Sequence, residues 1–406
     1  QLQRGWKKLF QSPILRYAII LFLCWLPVFL AVYPGFFAYD ATEELQEVLT
    51  GQYVTRHPLL HVLMLGKTVS GIQKLTGSYN SGIGVYVLAQ MAIMAMLFGW
   101  TIQQLRTRAG RVCGLLFYGL FPVVPMYVLC TSKDTPYTAG MLAVLVLLAV
   151  LMHKEHKKLL WVLTGVLAVS WVMINPVLWL LKVPKTNIVE AFAVPMQQIA
   201  RVVTQERELK PEEEALLSEI FNLEKMKEVY DPQTVDPVKF ETFQYGKTDY
   251  IQTHKWEYLR LYLSLGVRYP ADYGKAWVEE TRGYWNGGYF YWIYPARSSQ
   301  TPVMGIVHSG ENRIVTAAFG AWFRALEKPA ALEPLYSIGL QVWILAACCL
   351  INALKKDRQW LIGVPVLVLV VGLWLGTPVY SEFRYAYPII LTAPLVLMTT
   401  LYSPEK

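Results

Sequence analysis

Long apolar runs separated by short charged connectors dominate the pattern of hydrophobic and polar positions. A helix that crosses a bilayer core needs about 20 predominantly apolar residues. Eight runs approach this length, and together they predict an α-helical polytopic membrane protein. They are residues 14–33, 82–103, 112–129, 137–152, 159–181, 338–354, 360–378 and 386–402. The first run has no small-residue cleavage site after it, so it predicts a retained helix rather than a removed signal peptide.

The charged connectors fall into two groups that predict the orientation in the membrane. Lys and Arg are concentrated before the first run and in connectors 104–111, 153–158 and 355–358. Positive residues near helix ends mark the cytoplasmic side. Both termini are therefore predicted in the cytoplasm of a multi-pass protein of the cell membrane. The connectors predicted outside are residues 34–81, 130–137, 182–337 and 377–384.

The same pattern divides the chain into three parts. Residues 1–181 form a predicted N-terminal transmembrane module, whose first outer loop spans residues 34–81. Residues 182–337 form a predicted extracytoplasmic domain, because they contain most of the 29 acidic residues and no apolar run of spanning length. Residues 338–406 contain the predicted C-terminal transmembrane helices.

Helix-start signals predict that the extracytoplasmic domain is mainly helical. Pro211 precedes three Glu residues, which suit the first turn of a helix. Thr248 or Asp249 can cap a following amphipathic stretch, and Pro270 opens another. A Gly- and aromatic-rich loop at 283–299 is typical of either a rim for sugar stacking or an interfacial aromatic belt.

Composition excludes several classes of protein. Of the residues, 54% are apolar and only 16% are charged, against roughly a quarter charged in soluble domains. The net charge of +8 is spread over the predicted cytoplasmic connectors, which disfavours a nucleic-acid partner. The five cysteines lie in or beside apolar runs, so neither a disulfide framework nor a Cys-rich metal site is expected. A P-loop pattern is absent, which disfavours an ATP-driven pump.

Ionisable residues gather at the outer ends of the apolar runs. An isolated Asp40 would be interpreted as a helix N-cap, with Glu43 at the third helical position. However, several outer connectors carry such residues, so we expect them to converge on one rim that suits an anionic, lipid-linked substrate. The candidate site residues are Asp40, Glu43, Glu44, Arg56, His57, Lys133, Asp134, Glu382 and Arg384.

Such a rim suits glycosyl transfer from a polyprenyl-phosphate sugar. The lipid tail needs a membrane groove, and the reacting carbon then lies just outside the bilayer. A positioned carboxylate can take the proton of the acceptor hydroxyl, and Asp40 fits that role. Cations can bind the departing phosphate without a metal, and Arg384, Lys133 and Arg56 fit that role.

Short motifs resemble the GT-C superfamily of integral membrane glycosyltransferases. The resemblance is closest to a poorly characterised bacterial multi-pass group near that superfamily, and it spans most of the chain. The motifs are YPGFFAYD (33–40), HPLLH (57–61), TSKD (131–134), VPMQQIARV (194–202) and EFRYAYP (382–388). The resemblance implies a polyprenyl-phosphate-linked donor, a glycan or glycolipid acceptor in the cell envelope, inversion at the anomeric centre, and Asp40 as the base.

The chain departs from that superfamily in two ways. Many relatives have an adjacent acidic pair in the first loop, whereas here Ala41 and Thr42 follow Asp40, so Glu43 or Glu44 could be the partner acid. The helix count is also lower than usual, and the fifth run contains Asn175–Pro176 in its interior. We therefore expect that a segment is missing near Asn175.

Other interpretations remain open at this point. His57 and His61 could share a helix face as metal ligands, but a third ligand at fitting spacing is absent, so neither a metal nor another cofactor is expected. Gln197, Gln198 and Arg201 could face a sugar or belong to an amphipathic helix on the membrane surface. The chief alternative function is a transporter or flippase of lipid-linked envelope precursors; a non-catalytic assembly factor is a third.

Overall fold

Helices make up the ordered framework of the protein. The computed structural model describes residues 12–153, 192–245, 248–289, 332–377 and 379–401, with isolated positions between 158 and 180 and between 304 and 325. The helices discussed below are α1 (Pro13–Ala31), α2 (Tyr39–Thr50), α3 (Leu59–Thr76), α4 (Tyr79–Gln104), α5 (Arg108–Leu120), α6 (Val123–Val128), α7 (Asp134–His153), α8 (Ala193–Thr204), α9 (Pro211–Ser218), α10 (Leu223–Val229), α11 (Asp236–Tyr245), α12 (Thr248–Thr253), α13 (Lys255–Arg268), α14 (Pro270–Glu280), α15 (Glu333–Tyr336), α16 (Ile338–Leu354), α17 (Trp360–Leu375) and α18 (Phe383–Leu401).

Three of these helices are long and apolar enough to cross a membrane. They are α1, α4 and the segment Asp134–Met152 of α7. The apolar helices α16 and α17 are shorter. The described residues contain isolated bridges but no named strand. The protein is therefore α-helical and has apolar helices of membrane-spanning length, as the hydrophobic pattern predicts.

The prediction of one helix over 112–129 is wrong. The chain forms α5 and α6 instead, separated by Phe121 and Pro122. Phe121 has φ −70° and ψ 118°, outside the helical region, because the ring of a following proline disfavours helical backbone at the residue before it. The predicted span 159–181 lies mostly outside the described residues, and the suspected gap near Asn175 lies wholly outside them.

One apolar core joins the N-terminal and C-terminal groups of apolar helices. Helix α4 packs against α1, α3 and α7, and α7 also contacts α17 and α18. Tyr118 of α5 stacks on Phe98 of α4, with ring centroids 4.4 Å apart, and its hydroxyl donates a hydrogen bond to the carbonyl oxygen of Leu391 in α18 (2.7 Å). The N-terminal and C-terminal helices therefore form a single packed body around α4 and α7.

Close packing of α3 on α4 depends on a glycine. A methyl group on Gly82 would lie 2.5 Å from the carbonyl oxygen of Val69, an atom of the backbone that cannot move aside. We expect Gly82→Ala to lower the free energy of unfolding by about 1–3 kcal/mol, because overpacking forces the helices apart. Thermal unfolding in detergent measures this. Gly71→Ala on α3 is the matched control, since that position has no heavy atom within 4 Å, and equal losses would contradict the packing argument.

The helices between α7 and α15 build a second core. Helix α8 lies at its centre and packs against α10, α11, α13 and α14. Pro211 starts α9 as predicted, and the Glu213 carboxylate accepts a hydrogen bond from the backbone N–H of Lys210 (3.0 Å). Pro270 starts α14, also as predicted. This part of the chain is helical, as expected.

Helix α8 differs from both interpretations of its sequence. Gln197 donates to the carbonyl oxygen of Asp231 (2.6 Å), and Gln198 donates to that of Tyr273 (3.2 Å). Arg201 forms an ion pair with Glu279. All three side chains are buried. The helix is therefore a core element of this domain. Its two glutamines bind the backbone of neighbouring segments and its arginine binds a carboxylate, so these side chains do not face a sugar or the membrane surface.

The stretch after Thr248 forms two helices rather than one. His254 separates α12 from α13, and its backbone is not helical. The buried face of α13 consists of Tyr258, Leu261 and Leu265, while the large residues Trp256, Leu259, Leu263 and Val267 are exposed. Apolar residues on this helix therefore occupy two faces, of which only one contacts the domain core.

The domain built around α8 is fixed to the apolar helices at the end of α17 and at the loop before α18. Trp277 of α14 donates to the carbonyl oxygen of Trp374 in α17 (2.6 Å). Val235 donates through its backbone N–H to the carbonyl oxygen of Val379 (3.1 Å). Ser381 donates to the carbonyl oxygen of Glu280 and accepts from the N–H of Gly283, both at 3.0 Å. These bonds position the loop that leads into α18.

The Glu280 side chain makes stability depend on pH. Burial raises its pKa to about 8, and neither carboxylate oxygen has a hydrogen-bond partner within the described part of the chain. The folded state therefore holds a proton that the unfolded state releases near pH 4.5, so stability falls as pH rises from about 5 to 8. We expect Glu280→Gln to raise the free energy of unfolding by on the order of 1–3 kcal/mol at pH 8 and little at pH 5.

Unfolding midpoints across this pH range measure the effect. A variant whose pH dependence matches that of the unchanged protein would contradict the assignment.

Candidate functional site

The inward face of α2 carries the acidic part of the site. Asp40, Glu44 and Glu47 follow one another at spacings of four and three residues, so they share one face of the helix. All three are buried, and Asp40 is 6% exposed. Gly51, at φ +73°, ends the helix in the left-handed region, where glycine carries no steric penalty. Three carboxyl groups therefore point into the protein from one short helix.

Asp40 does not cap α2. The N-cap is Ala38, whose side chain offers no acceptor, and Asp40 lies in the first turn. Its Oδ2 instead accepts from Lys133 Nζ at 2.8 Å and from Arg384 Nη1 at 3.4 Å. Burial alone would raise its pKa, but the two cations outweigh burial and hold the pKa of Asp40 below its ordinary value. Asp40 is thus an ionised carboxylate clamped between two cations.

Backbone pairing brings these residues together although they are distant in sequence. The N–H of Phe36 donates to the carbonyl oxygen of Leu129 (2.9 Å), and the N–H of Thr131 donates back to that of Phe36 (3.0 Å). The Thr131 hydroxyl accepts from the N–H of Ala38 (3.0 Å). The side-chain amide of Gln90 donates to the carbonyl oxygens of Val128 and Cys130, on either side of Leu129. The start of α2 and the start of α7 are therefore fixed side by side.

Arg384 links Asp40 to a second carboxyl group. Its Nε lies 2.7 Å from Oε2 of Glu382, and its Nη2 donates to the Tyr385 hydroxyl at 2.8 Å. Burial is the main influence on Glu382 and, against the opposing effect of Arg384, raises its pKa to about 7. Near neutral pH Glu382 is therefore only partly ionised, and Asp134 is among the charges that act on it.

His57 connects the buried site to its exposed edge. Its Nδ1 lies 2.6 Å from Oε1 of Glu47, and its Nε2 lies 3.8 Å from Oε2 of Glu43. Glu43, whose side chain is 54% exposed, also accepts from Arg56 Nη1 at 3.2 Å. Burial lowers the pKa of His57, against the opposing effect of Glu47. The imidazole is therefore neutral at physiological pH, between a buried and an exposed carboxylate.

A second buried carboxylate–imidazole pair lies beside the first. Oε2 of Glu44 lies 2.6 Å from Nδ1 of His61, and the His61 Nε2 shares a hydrogen bond with the Tyr86 hydroxyl (3.1 Å). His57 and His61 thus contact different carboxylates rather than one shared point. Among the residues the structure describes, no group of three or more His, Cys, Asp or Glu residues is arranged to hold a metal ion.

The predicted site residues separate into a centre and an edge. Asp40, Lys133, Glu382 and Arg384 are in direct contact with one another as a chain of ion pairs. Asp134 starts α7 next to this centre and accepts from the Ser132 hydroxyl (2.7 Å). Residues 290–299 of the predicted aromatic loop lie outside the described residues.

The other predicted residues lie outside this chain of ion pairs. Glu43 and Arg56 form its exposed edge, and Glu43 lies 3.8 Å from the buried His57. Glu44 is buried and forms its own pair with His61. Sequence reasoning missed Glu47 and Tyr86. The position of Glu47, seven residues after Asp40 and therefore on the same helix face, was a usable signal.

The chemistry available at the centre follows from these contacts. Two cations from separate parts of the chain can bind an anionic oxygen, and Lys133 keeps about a fifth of its side chain exposed. The carboxylate between them can accept a proton once the cations move to another anion. Lys133 directly precedes α7, which is one of the three helices of membrane-spanning length.

Comparison with known proteins gives one match. Residues 128–406 match the model of a family of unknown function, DUF6020. The matched region contains Lys133, Asp134, Glu382 and Arg384, while α2, which carries Asp40, precedes it. No curated protein and no solved structure is significantly similar to the chain.

Proposed function

We propose that this chain, which belongs to the DUF6020 family of unknown function, is an inverting membrane glycosyltransferase of GT-C type. It moves a sugar from a polyprenyl-phosphate donor to a glycan or glycolipid of the cell envelope. One observation carries the proposal: the buried Asp40 carboxylate contacts both Lys133 and Arg384, which lie 93 and 344 residues away along the chain. The proposed base is therefore in direct contact with the two cations proposed to bind the phosphate.

Donor binding frees the base. In the resting geometry the two cations depress the pKa of Asp40, which weakens it as a proton acceptor. A phosphate oxygen competes for the same Lys and Arg donors, because phosphate forms strong charge-assisted hydrogen bonds with both. As the cations turn to the phosphate, Asp40 loses the stabilisation of its charged form, and its proton affinity rises. The donor therefore activates the base that acts on the acceptor.

The bonds, the proton and the electron pair of the transfer step are all accounted for by the two substrates and these residues. The acceptor oxygen forms a bond to the anomeric carbon, and its proton passes to Asp40. The bond between the anomeric carbon and the phosphate oxygen breaks on the opposite face, so the configuration inverts. The electron pair remains on the polyprenyl phosphate, whose growing negative charge is stabilised by Lys133 and Arg384. Positioned proton transfer of this kind contributes about 10²–10⁴-fold to a rate.

The proposed reaction takes place on the extracytoplasmic side. The excess of Lys and Arg in connectors 104–111, 153–158 and 355–358 supports a cytoplasmic position for them and for the N-terminus. The site lies in the opposite connectors, together with the outer domain. The bilayer supplies the lipid donor laterally, and the acceptor approaches from the envelope.

A gene deletion in the source cell tests the function. Without the protein, the envelope is expected to lose one sugar, and the corresponding polyprenyl-phosphate sugar is expected to accumulate in the outer leaflet. Mass spectrometry of envelope hydrolysates and lipid extracts, with leaflet-specific labelling, measures both. Accumulation in the inner leaflet instead would identify a flippase and contradict the transferase. An unchanged sugar composition would contradict both.

A further inference from the structure

We propose that the exposed apolar face of α13 lies on the surface of an anionic lipid bilayer. This face, the α13 stripe, consists of Trp256, Leu259, Leu263 and Val267. The proposal goes beyond the transferase function and does not depend on it, because it concerns how the domain around α8 contacts lipid. Four features of the described residues support it: the pattern of the helix, the distribution of acidic residues, the neighbouring cations, and the attachment of α14 to α17.

The α13 stripe has the pattern of a helix at a membrane interface. Its four residues follow one another at spacings of three, four and four, so they form one line from the first turn of the helix to the last. Trp256 is 68% exposed and Val267 is 83% exposed. The opposite face, with Tyr258, Leu261 and Leu265, is buried in the domain core. A helix that is apolar along its whole outer line, with Trp and Leu on it, is typical of one that lies in the plane of a membrane surface.

The exposed acidic residues of this domain lie away from the α13 stripe. Among the side chains that the structure describes in residues 192–289, the exposed acidic ones are Glu206, Glu208, Glu212, Glu214, Glu219, Glu224, Glu228 and Glu257. All but Glu257 precede α11 in the sequence, on α9, on α10 or beside them. Helix α9 packs on the face of α13 opposite the stripe, where the Tyr258 hydroxyl donates to the carbonyl oxygen of Leu216 (2.7 Å). Glu257 and Arg260 line a groove shared with α9. The acidic surface is therefore on the α9 side of α13.

Cations lie beside the apolar surface instead. Nζ of Lys255 lies 5.9 Å from the centre of the Trp256 ring. On the neighbouring helix α14, Lys275 is exposed three residues before the exposed Val278. An ammonium group in such a position can bind a lipid phosphate while the apolar side chain next to it enters the acyl boundary. The charge around the α13 stripe therefore fits an anionic lipid surface.

The attachment of α14 brings the α13 stripe to the end of an apolar helix. Helices α13 and α14 fold back on each other, because the Tyr273 hydroxyl donates to the carbonyl oxygen of Tyr262 (2.8 Å). The start of α13 therefore lies beside the end of α14, where Trp277 donates to the carbonyl oxygen of Trp374 (2.6 Å). Trp374 is followed by Leu375, the exposed last residue of α17. Where α17 enters the bilayer, this end lies at its surface, and the α13 stripe begins beside it.

Photolabelling of the full chain in lipid nanodiscs tests the proposal. The probe is a phospholipid that carries a diazirine in its acyl chain close to the headgroup, added in trace amounts to phosphatidylglycerol or phosphatidylcholine. Mass spectrometry of peptides locates the label. We expect label on peptides from α13, and about twofold to fivefold more of it in phosphatidylglycerol, because cations at an anionic surface add to the attraction. Peptides from α1 and α4, which are of membrane-spanning length, are the positive control.

A charge placed on the α13 stripe should remove the contact. Leu263→Glu is expected to lower the label on α13 by about tenfold, because a large apolar side chain is lost from the lipid contact. Leu263 is exposed, so the domain core is not disturbed. Ala215→Glu, at an exposed position of α9, adds the same charge on the acidic side of the domain and is the matched control. It should leave the label unchanged.

Each outcome supports or overturns the assignment. Absence of label on α13, while α1 and α4 are labelled, would overturn it. Equal label in the two lipids would overturn the choice of an anionic surface as the partner. Equal losses of label in Leu263→Glu and Ala215→Glu would overturn the role of the α13 stripe. None of these results depends on Asp40, Lys133 or Arg384, so the transferase function is tested separately.

Discussion

Asp40→Asn is expected to reduce sugar incorporation into the envelope by about 10²–10⁴-fold, the usual contribution of a positioned base. Asparagine keeps the shape of the side chain but cannot accept the acceptor proton. The same change removes the carboxylate that competes with phosphate for Lys133 and Arg384. Affinity for polyprenyl monophosphate should therefore be retained or rise, by up to roughly tenfold. Complementation of the deletion strain measures incorporation, and binding to the purified chain measures affinity.

The opposite directions of these two effects separate a base from a structural residue. Glu224→Gln, a carboxylate-to-amide change on an exposed side chain, controls for the loss of one negative charge. Normal incorporation by Asp40→Asn at normal expression would contradict the role of Asp40. Loss of incorporation together with loss of phosphate binding would indicate that the variant disturbs the site rather than its proton transfer.

Arg384→Gln is expected to lower affinity for polyprenyl monophosphate by about 10–100-fold, because a charge-assisted hydrogen bond is lost. It should also destabilise the protein by roughly 3–5 kcal/mol, since Asp40 and Glu382 would lose a buried cationic partner. Isothermal binding and thermal unfolding in detergent measure the two quantities. Arg260→Gln, at an exposed position of α13, is the matched control.

A double-mutant cycle sharpens this prediction. If Arg384 stabilises the fold partly through Asp40, adding Asp40→Asn to Arg384→Gln should restore part of the lost stability without restoring phosphate affinity. Strictly additive losses would show that the two side chains are not coupled. A loss of affinity no larger than that of Arg260→Gln would contradict the phosphate-binding role.

The proximity of Asp40, Lys133 and Arg384 could be predicted because topology constrains it. If apolar runs cross a membrane, alternate connectors lie on the same side of it. Acidic and basic residues at the ends of those runs are then confined to one rim. The actual contacts depend on local backbone pairing between Phe36 and Thr131. The periodicity of apolar residues in the sequence does not indicate this pairing. The role of Asp40 as a first-turn residue, rather than a cap, follows from that pairing.

Other features could not be predicted, because they depend on which part of the chain packs against a given helix face. The sequence of α8 is amphipathic, and an amphipathic helix on a membrane has the same pattern as one in a small domain core. The contacts of Gln197 and Gln198 with distant backbone decide between them. Similarly, the contact between Glu47 and His57 could not be predicted without the geometry of the turn between α2 and α3. The break at Phe121–Pro122, in contrast, had a clear local signal in the proline.

A structure of the full chain with a polyprenyl monophosphate bound tests the central claim most directly. Phosphate oxygens are expected about 2.7–3.2 Å from Lys133 Nζ and from the Arg384 guanidinium. Asp40 is expected to be released from both and to open toward the acceptor side. A phosphate bound elsewhere, with the contact between Lys133 and Asp40 intact, would contradict this claim.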